Sequence, residues 1–188
     1  RMVSRLVEKI TEPERILTMQ NAFGKVFQTN DPFGEMFQIY IQEKQILCPT
    51  DGYYLSREQF KALQENLVAM GEEKAYLSEV EPDECFSDNN CSHWELSVMD
   101  PYEEYLKLPV ILENSIYSLN GTWGIIISQE EHAVIGGTRG FMVKYKEYYT
   151  NWFKGESNFR QKWEYNKKNY NSDLSWFSKF SSHLKMGK

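Results

Sequence analysis

The spacing of apolar residues changes along the chain, and each change marks an element. Leu6, Val7 and Ile10 recur at helical spacing. Pro13, suited to the first turn of a helix, is followed by Ile16, Leu17, Met19, Ala22 and Phe23 on one stripe, so the N-terminal stretch reads as helical up to the break at Asn30-Asp31-Pro32. Phe37, Ile39 and Ile41 then alternate with Gln38, Tyr40 and Gln42, which predicts a strand over 36–47, closed by the turn residues Cys48-Pro49-Thr50-Asp51-Gly52. The clearest helix spans 56–70. Ser56 is a natural N-cap with Gln59 at the capping-box position, Phe60, Leu63, Leu67 and Met70 share a face, and Gly71 suits a helix end in the left-handed conformation.

Strands over 75–80 and 93–99 follow, the second with Trp94, Leu96 and Val98 on one face, separated by the loop-like segment 81–90. A short helix over 102–108 ends at Pro109. Asn120-Gly121 lies between two β-rich runs, 115–119 and 122–128, and predicts a hairpin because both residues tolerate positive φ. Ile125, Ile126 and Ile127 leave that second strand no polar face, which places it inside its sheet. Gln129-Glu130-Glu131 makes the next turn, 132–135 a third short strand ended by Gly136-Gly137, and Thr138 starts a helix reaching about residue 153. Two further helices fit 158–169 and 173–184, the latter capped by Ser172 and anchored by Leu174, Trp176, Phe177 and Phe180. The pattern is that of one α+β domain over 1–188: a central antiparallel sheet with a hairpin at Asn120-Gly121, flanking helices on one side or at the ends, and a helical C-terminal region, 151–188, packed on it.

Composition supports one buried core, since 41% of the 188 residues are hydrophobic and 15% aromatic. No run of eighteen apolar residues predicts a transmembrane helix, and the first twenty residues mix charges unlike a secretory signal. Arg1 before Met2 reads as a tag residue, with Met2 the natural start. Three cysteines in such a chain are expected to be free thiols in the cytoplasm.

Charge changes the picture more. From 65 to 131 there are fifteen acidic and two basic residues, a balance of −13; from 139 to 188 there are eleven basic and four acidic, a balance of +7. This sorting predicts a basic protein partner on the acidic segment, or pairing of the two segments within the molecule. The candidate partner-binding residues are Glu72, Glu73, Glu79, Glu81, Asp83, Glu84, Asp88, Glu103 and Glu104, with Tyr102 and Tyr105 as exposed aromatic anchors.

Four other constellations compete. Cys85, Cys91 and His93 carry zinc-type donors in the spacing C-x5-C-x-H, which lacks the tight two-residue knuckle and needs a distant fourth ligand such as Cys48 or His132; a loop with incidental cysteines is the plainer account, and no metal or cofactor is expected. Glu131-His132 could form a general acid–base pair, with no nucleophile placed beside it. Gly136-Gly137-Thr138-Arg139-Gly140 matches neither dinucleotide nor phosphate-loop spacing and reads as a strand-to-helix turn. Arg160, Lys162, Trp163, Lys167, Lys168, Tyr170, Trp176 and Lys179 interleave cations and aromatics as in single-strand nucleic-acid grooves, but at the helical spacing of core residues.

The run 116–147, with Asn120-Gly121, Trp123-Gly124, an apolar strand, Glu131-His132-Ala133, Gly136-Gly137 and an amphipathic helix, resembles a segment of small bacterial proteins that include immunity proteins of polymorphic and contact-dependent toxin systems. The resemblance covers about a sixth of the chain and implies a non-enzymatic cytoplasmic protein that covers a cognate toxin, often a basic nuclease. It carries over no site residues.

Overall fold

The computed structural model describes residues 7–81, 85–86 and 91–187. Seven strands form one antiparallel sheet: β1 (Glu8–Ile10), β2 (Glu43–Leu47), β3 (Lys74–Glu79), β4 (His93–Ser97), β5 (Asn114–Tyr117), β6 (Trp123–Ile127) and β7 (Ala133–Gly137), in the spatial order β1-β4-β3-β5-β6-β7-β2. The helices are α1 (Pro13–Val26), α2 (Arg57–Ala69), α3 (Tyr102–Leu106), α4 (Arg139–Tyr148), α5 (Lys154–Tyr170) and α6 (Phe177–Leu184). The fold is α+β, as the sequence pattern predicts. The helices lie on both faces of the sheet rather than on one.

The alternation of strand residues explains why both faces need cover. Trp123, Ile125 and Ile127 of β6, with Leu77, Ile116, Ala133 and Ile135, face Phe60, Leu63 and Leu67 of α2, Tyr105 of α3, and Phe141 and Tyr145 of α4. On the other face, Ile126, Val134 and Ile46 meet Phe159 and Trp163 of α5 and Phe180 and Leu184 of α6. Beside them Tyr76 and Tyr117 pack against Met19 and Ala22 of α1. Helix ends follow local chemistry: Ser56 Oγ accepts the Gln59 N–H, the Gln59 side chain accepts the Ser56 N–H, and Gly71 ends α2 at φ +75°. Thr138 Oγ1 likewise accepts the Phe141 N–H at the start of α4.

Several local expectations are corrected by tertiary pairing. Residues 8–10 form edge strand β1 against β4, not a helical turn, because Ile10 is buried on the α1 face only when paired opposite His93. The strand expected over 36–47 is confined to Glu43–Leu47; Phe37 and Ile41 are buried but Ile39 is 95% exposed. The Gln38 side chain donates to Gly24 O and turns this stretch around the end of α1. The Asn120-Gly121 hairpin forms, but over the loop 118–122: only Gly121 takes positive φ, and Asn120 Oδ1 accepts from Thr122 N and Oγ1. Gly136 and Gly137 continue β7 instead of ending it, since a Cβ at Gly136 would lie 2.7 Å from the Phe37 ring, and the bare strand lets that ring onto the sheet. Asn171, left-handed at φ 50°, stops α5, and α6 begins at Phe177 rather than after Ser172.

The outer edge of β2 is closed by α5. Asn158 Nδ2 donates to Cys48 O at 2.9 Å, and the helix approaches so closely at Gly155 that a Cβ there would lie 2.3 Å from Ile46 O. A backbone carbonyl cannot yield as a flexible side chain can. Gly155→Ala is therefore expected to destabilise the protein by about 1–3 kcal/mol, read as a lower urea midpoint at unchanged m-value.

Candidate functional site

Sheet register collects acids that are far apart in sequence. Glu79 and Glu81 lie at the C-terminal end of β3, and Val80 N donates to Glu113 O at 2.9 Å, which brings in the start of β5. The turn after β6 carries Glu130 and Glu131, and Thr50 N donates to Glu131 O at 2.9 Å, which brings in the loop of Asp51. Asn30 donates to Val80 O and His132 to Pro32 O, which places Asp31 at the same end. One end of the sheet thus presents Asp31, Asp51, Glu81, Glu113, Glu130 and Glu131. The one described cation paired there is Lys162 of α5, 3.9 Å from the Glu130 carboxylate and 4.0 Å from that of Glu131.

Within this end Glu113 is the strained charge. Its carboxyl is pushed above the ordinary range, first by burial and then by the negative fields of Glu81 and Asp31, against the lowering effect of the hydrogen bond from Gln129 N. Neither Glu81, Glu113 nor Asp31 has a cation within ion-pair distance among the described residues. Ile111, 73% exposed, stands beside them, because its N–H lies 3.4 Å from the Glu79 carboxylate.

The sequence candidates are dispersed by the fold. Glu72 and Glu73 precede β3 and so lie at the opposite end of the sheet from Glu81. Glu72 accepts from Trp123 Nε1 at 3.2 Å, and Glu73 is exposed. Glu79 is buried, so it is corrected from a docking residue to a structural acceptor that takes the N–H groups of Ser92 and Ile111. Tyr105 is fully buried, its hydroxyl accepting from Leu55 N at 2.9 Å and its ring stacked 4.3 Å from Phe60, so it anchors α3 and is no exposed aromatic. Tyr102 is half-buried, donating to Leu55 O beneath the Arg57 guanidinium. Glu103 is exposed and pairs with Arg57 at 2.7 Å; Glu104 pairs with Lys107 at 2.7 Å. Asp83, Glu84 and Asp88 lie outside the described residues. Asp31, Asp51 and Glu113 are not candidates in the sequence, because strand pairing and loop hydrogen bonds between distant segments bring them to one end.

Cys85 and Cys91 form a disulfide, with their Cα atoms 5.1 Å apart, so the expectation of three free thiols is overturned and the two sulfurs are not zinc thiolates. His93, the imidazole of that competing zinc reading, has Nδ1 2.7 Å from Ser78 Oγ and Nε2 3.1 Å from Cys85 O, while Ser78 Oγ is 2.7 Å from Tyr117 OH. Donation from Tyr117 to Ser78, from Ser78 to Nδ1, and from Nε2 to Cys85 O satisfies every member of this buried chain. His132 is fully buried, donating from Nε2 to Pro32 O at 2.9 Å among the rings of Phe33, Phe159 and Phe180, so it makes no acid–base pair with Glu131. In the basic tail, Trp163 is buried and Trp176 packs against Phe33 and Phe159, leaving Phe153, Tyr165 and Tyr170 as the exposed rings of 151–187. No described helix is long and apolar enough to cross a membrane.

Denatured, unreduced protein should titrate one thiol, Cys48, and reduced protein three, counted with a thiol reagent. Burial, and secondarily Lys162, lowers the His132 pKa to about 4. The unfolded chain takes up this proton near pH 6.5 while the folded one refuses it, so the contribution is complete above that pH and is lost as pH falls from 6.5 to 4, roughly 3 kcal/mol in all. His93 and His183, also lowered by burial, act in the same direction. His132→Gln should flatten the pH dependence of the urea midpoint over this window by one proton. Comparisons with protein-family models, with curated proteins and with solved structures give no match to this chain.

Proposed function

We propose that this chain is a protein-binding module of the immunity type, which holds a basic, nuclease-type toxin against the acidic end of its sheet. The observation that carries this reading is the convergence of Asp31, Glu81 and Glu113 with no cation at ion-pair distance among the described residues, where the Glu113 carboxyl is pushed up by burial first and by Glu81 and Asp31 after it. Charges held in mutual repulsion on a folded surface lower their energy when a cationic partner arrives. The same field speeds encounter with such a partner and repels nucleic acid from this end. Ile111, exposed beside these acids, supplies an apolar anchor for the contact. The class of partner is proposed from the pattern of 116–147, read as similar to that of immunity proteins.

The test pairs this chain with a toxin domain encoded beside it. Co-expression should protect cells, and Glu81→Lys with Glu113→Lys should weaken binding by a hundredfold or more and abolish protection, while circular dichroism shows the fold retained. Association should also slow markedly between about 0.05 and 0.5 M salt, where the Debye length contracts to a few ångströms. A folded double variant that still binds and protects in full would overturn the reading.

A further inference from the structure

A second charged site lies at the other end of the molecule. β2 and β7 are antiparallel, with Glu43 opposite Gly137 and Leu47 opposite Ala133, so the start of β2 is remote from the acidic turn at Glu130-Glu131. Along the outer edge of β2, beside the first turn of α5, is a cleft of about 290 Å³ lined by Lys44, Lys146 and Lys185 together with Glu43 and Glu156. The three lysines come from β2, α4 and the end of α6.

Their charges are not matched in kind. Glu156 is held by Arg160 at 3.3 Å, leaving Glu43 as the one carboxylate of the lining without an ion pair among the described residues. Lys44 Nζ is half-buried and donates to a backbone carbonyl, His183 O, at 3.1 Å, so its charge is solvated by a dipole and not neutralised. Burial and the nearby Lys185 ammonium both push its pKa down, the signature of a cation lacking an anion. Lys146 Nζ rests 4.4 Å over the Trp152 ring. No carboxylate lies within ion-pair distance of Lys44, Lys146 or Lys185 among the described residues. The ladder adds a donor: Ile46 O faces outward onto Gly155, and the two-residue alternation puts the Lys44 N–H on the same outer edge.

We infer that this cleft binds a phosphoryl group, as inorganic phosphate or as the head of a small phosphate ester. Lysines are point charges with rotatable donors and suit a tetrahedral oxyanion, whereas planar carboxylates are matched by an arginine fork. The arginine nearby, Arg160, is already committed to Glu156 and to Gly187 O. The site is remote from the acidic end and stands whether or not that end binds a toxin.

The test is calorimetric titration of the whole chain with inorganic phosphate, and separately with glycerol phosphate, at ionic strength held constant with sodium chloride. Saturable binding is expected, together with a rise in Tm absent from chloride alone. Tighter binding of the ester would assign the site to an organic phosphate; equal binding would assign it to the free ion. Lys185→Asn, at an exposed left-handed position that asparagine tolerates, should weaken binding tenfold or more with the fold intact, and Lys44→Met should do likewise. Lys167→Met with Lys168→Met, exposed on α5 outside the cleft, should leave the affinity unchanged. A Tm shift equal to that in chloride, or equal affinity in the cleft variants and the wild type, would overturn the inference.

Discussion

Everything in this fold depends on the need to cover β6 twice. Trp123–Ile127 is buried at all five positions, and its side chains point alternately to two faces. Water on either face would leave isoleucine surface exposed, at roughly 25 cal/mol per Å². The chain meets this with α2, α3 and α4 on one side and α1, α5 and α6 on the other. α5 does the most geometrically: it shields Ile126 and Val134 through Phe159, and it also closes the β2 edge at Gly155. A lone edge strand with free carbonyls would be a template for another chain, so one helix serves core and edge together.

Double cover also decides the fate of the polar residues nearest the core. His132 leads into β7, and once Phe33, Phe159 and Phe180 close over that face its ring has Pro32 O as its one hydrogen-bond partner among the described residues. Glu79 is drawn in at the end of β3 and accepts two backbone N–H groups, the kind of pairing that makes a buried carboxylate tolerable. Residues that look chemical in sequence become structural because the layers that bury the sheet bury them too.

Local signals were legible and nonlocal ones were not. The Ser56–Gln59 capping box, the Thr138 cap, the Asn120-Gly121 turn and the interior placement of Ile125–Ile127 follow from residues within a few positions of each other. β1 is not legible locally, because Glu8–Ile10 become a strand through pairing with residues more than eighty positions away, although Ile10 fits a helical spacing. Ile39 kept the alternation of a strand but points out of a turn, since a side-chain bond from Gln38 to Gly24 O set the path of the chain there. The charge balance of −13 was visible, yet its sites were not. Glu72 and Glu81 share a segment but lie at opposite ends of β3, whereas Asp31, Asp51 and Glu113 share no segment and meet at one end.

The sequence split between an acidic middle and a basic tail therefore survives in space only in altered form. The two segments touch at Lys162 with Glu130 and Glu131, so part of the tail does neutralise the acidic block within the molecule. The remainder separates into an acidic end, where Glu113 is repelled by its neighbours, and a lysine-lined cleft at the start of β2. Five residues of paired strand separate these ends, about 17 Å at the usual rise, which exceeds the Debye length of about 8 Å at physiological salt. Charge alone cannot couple them across that distance. Any communication would have to pass mechanically along β2, which carries Lys44 near its start and leads through Cys48 to Thr50 and Asp51, and which α5 clamps midway at Gly155. A strand so clamped favours two sites that act independently.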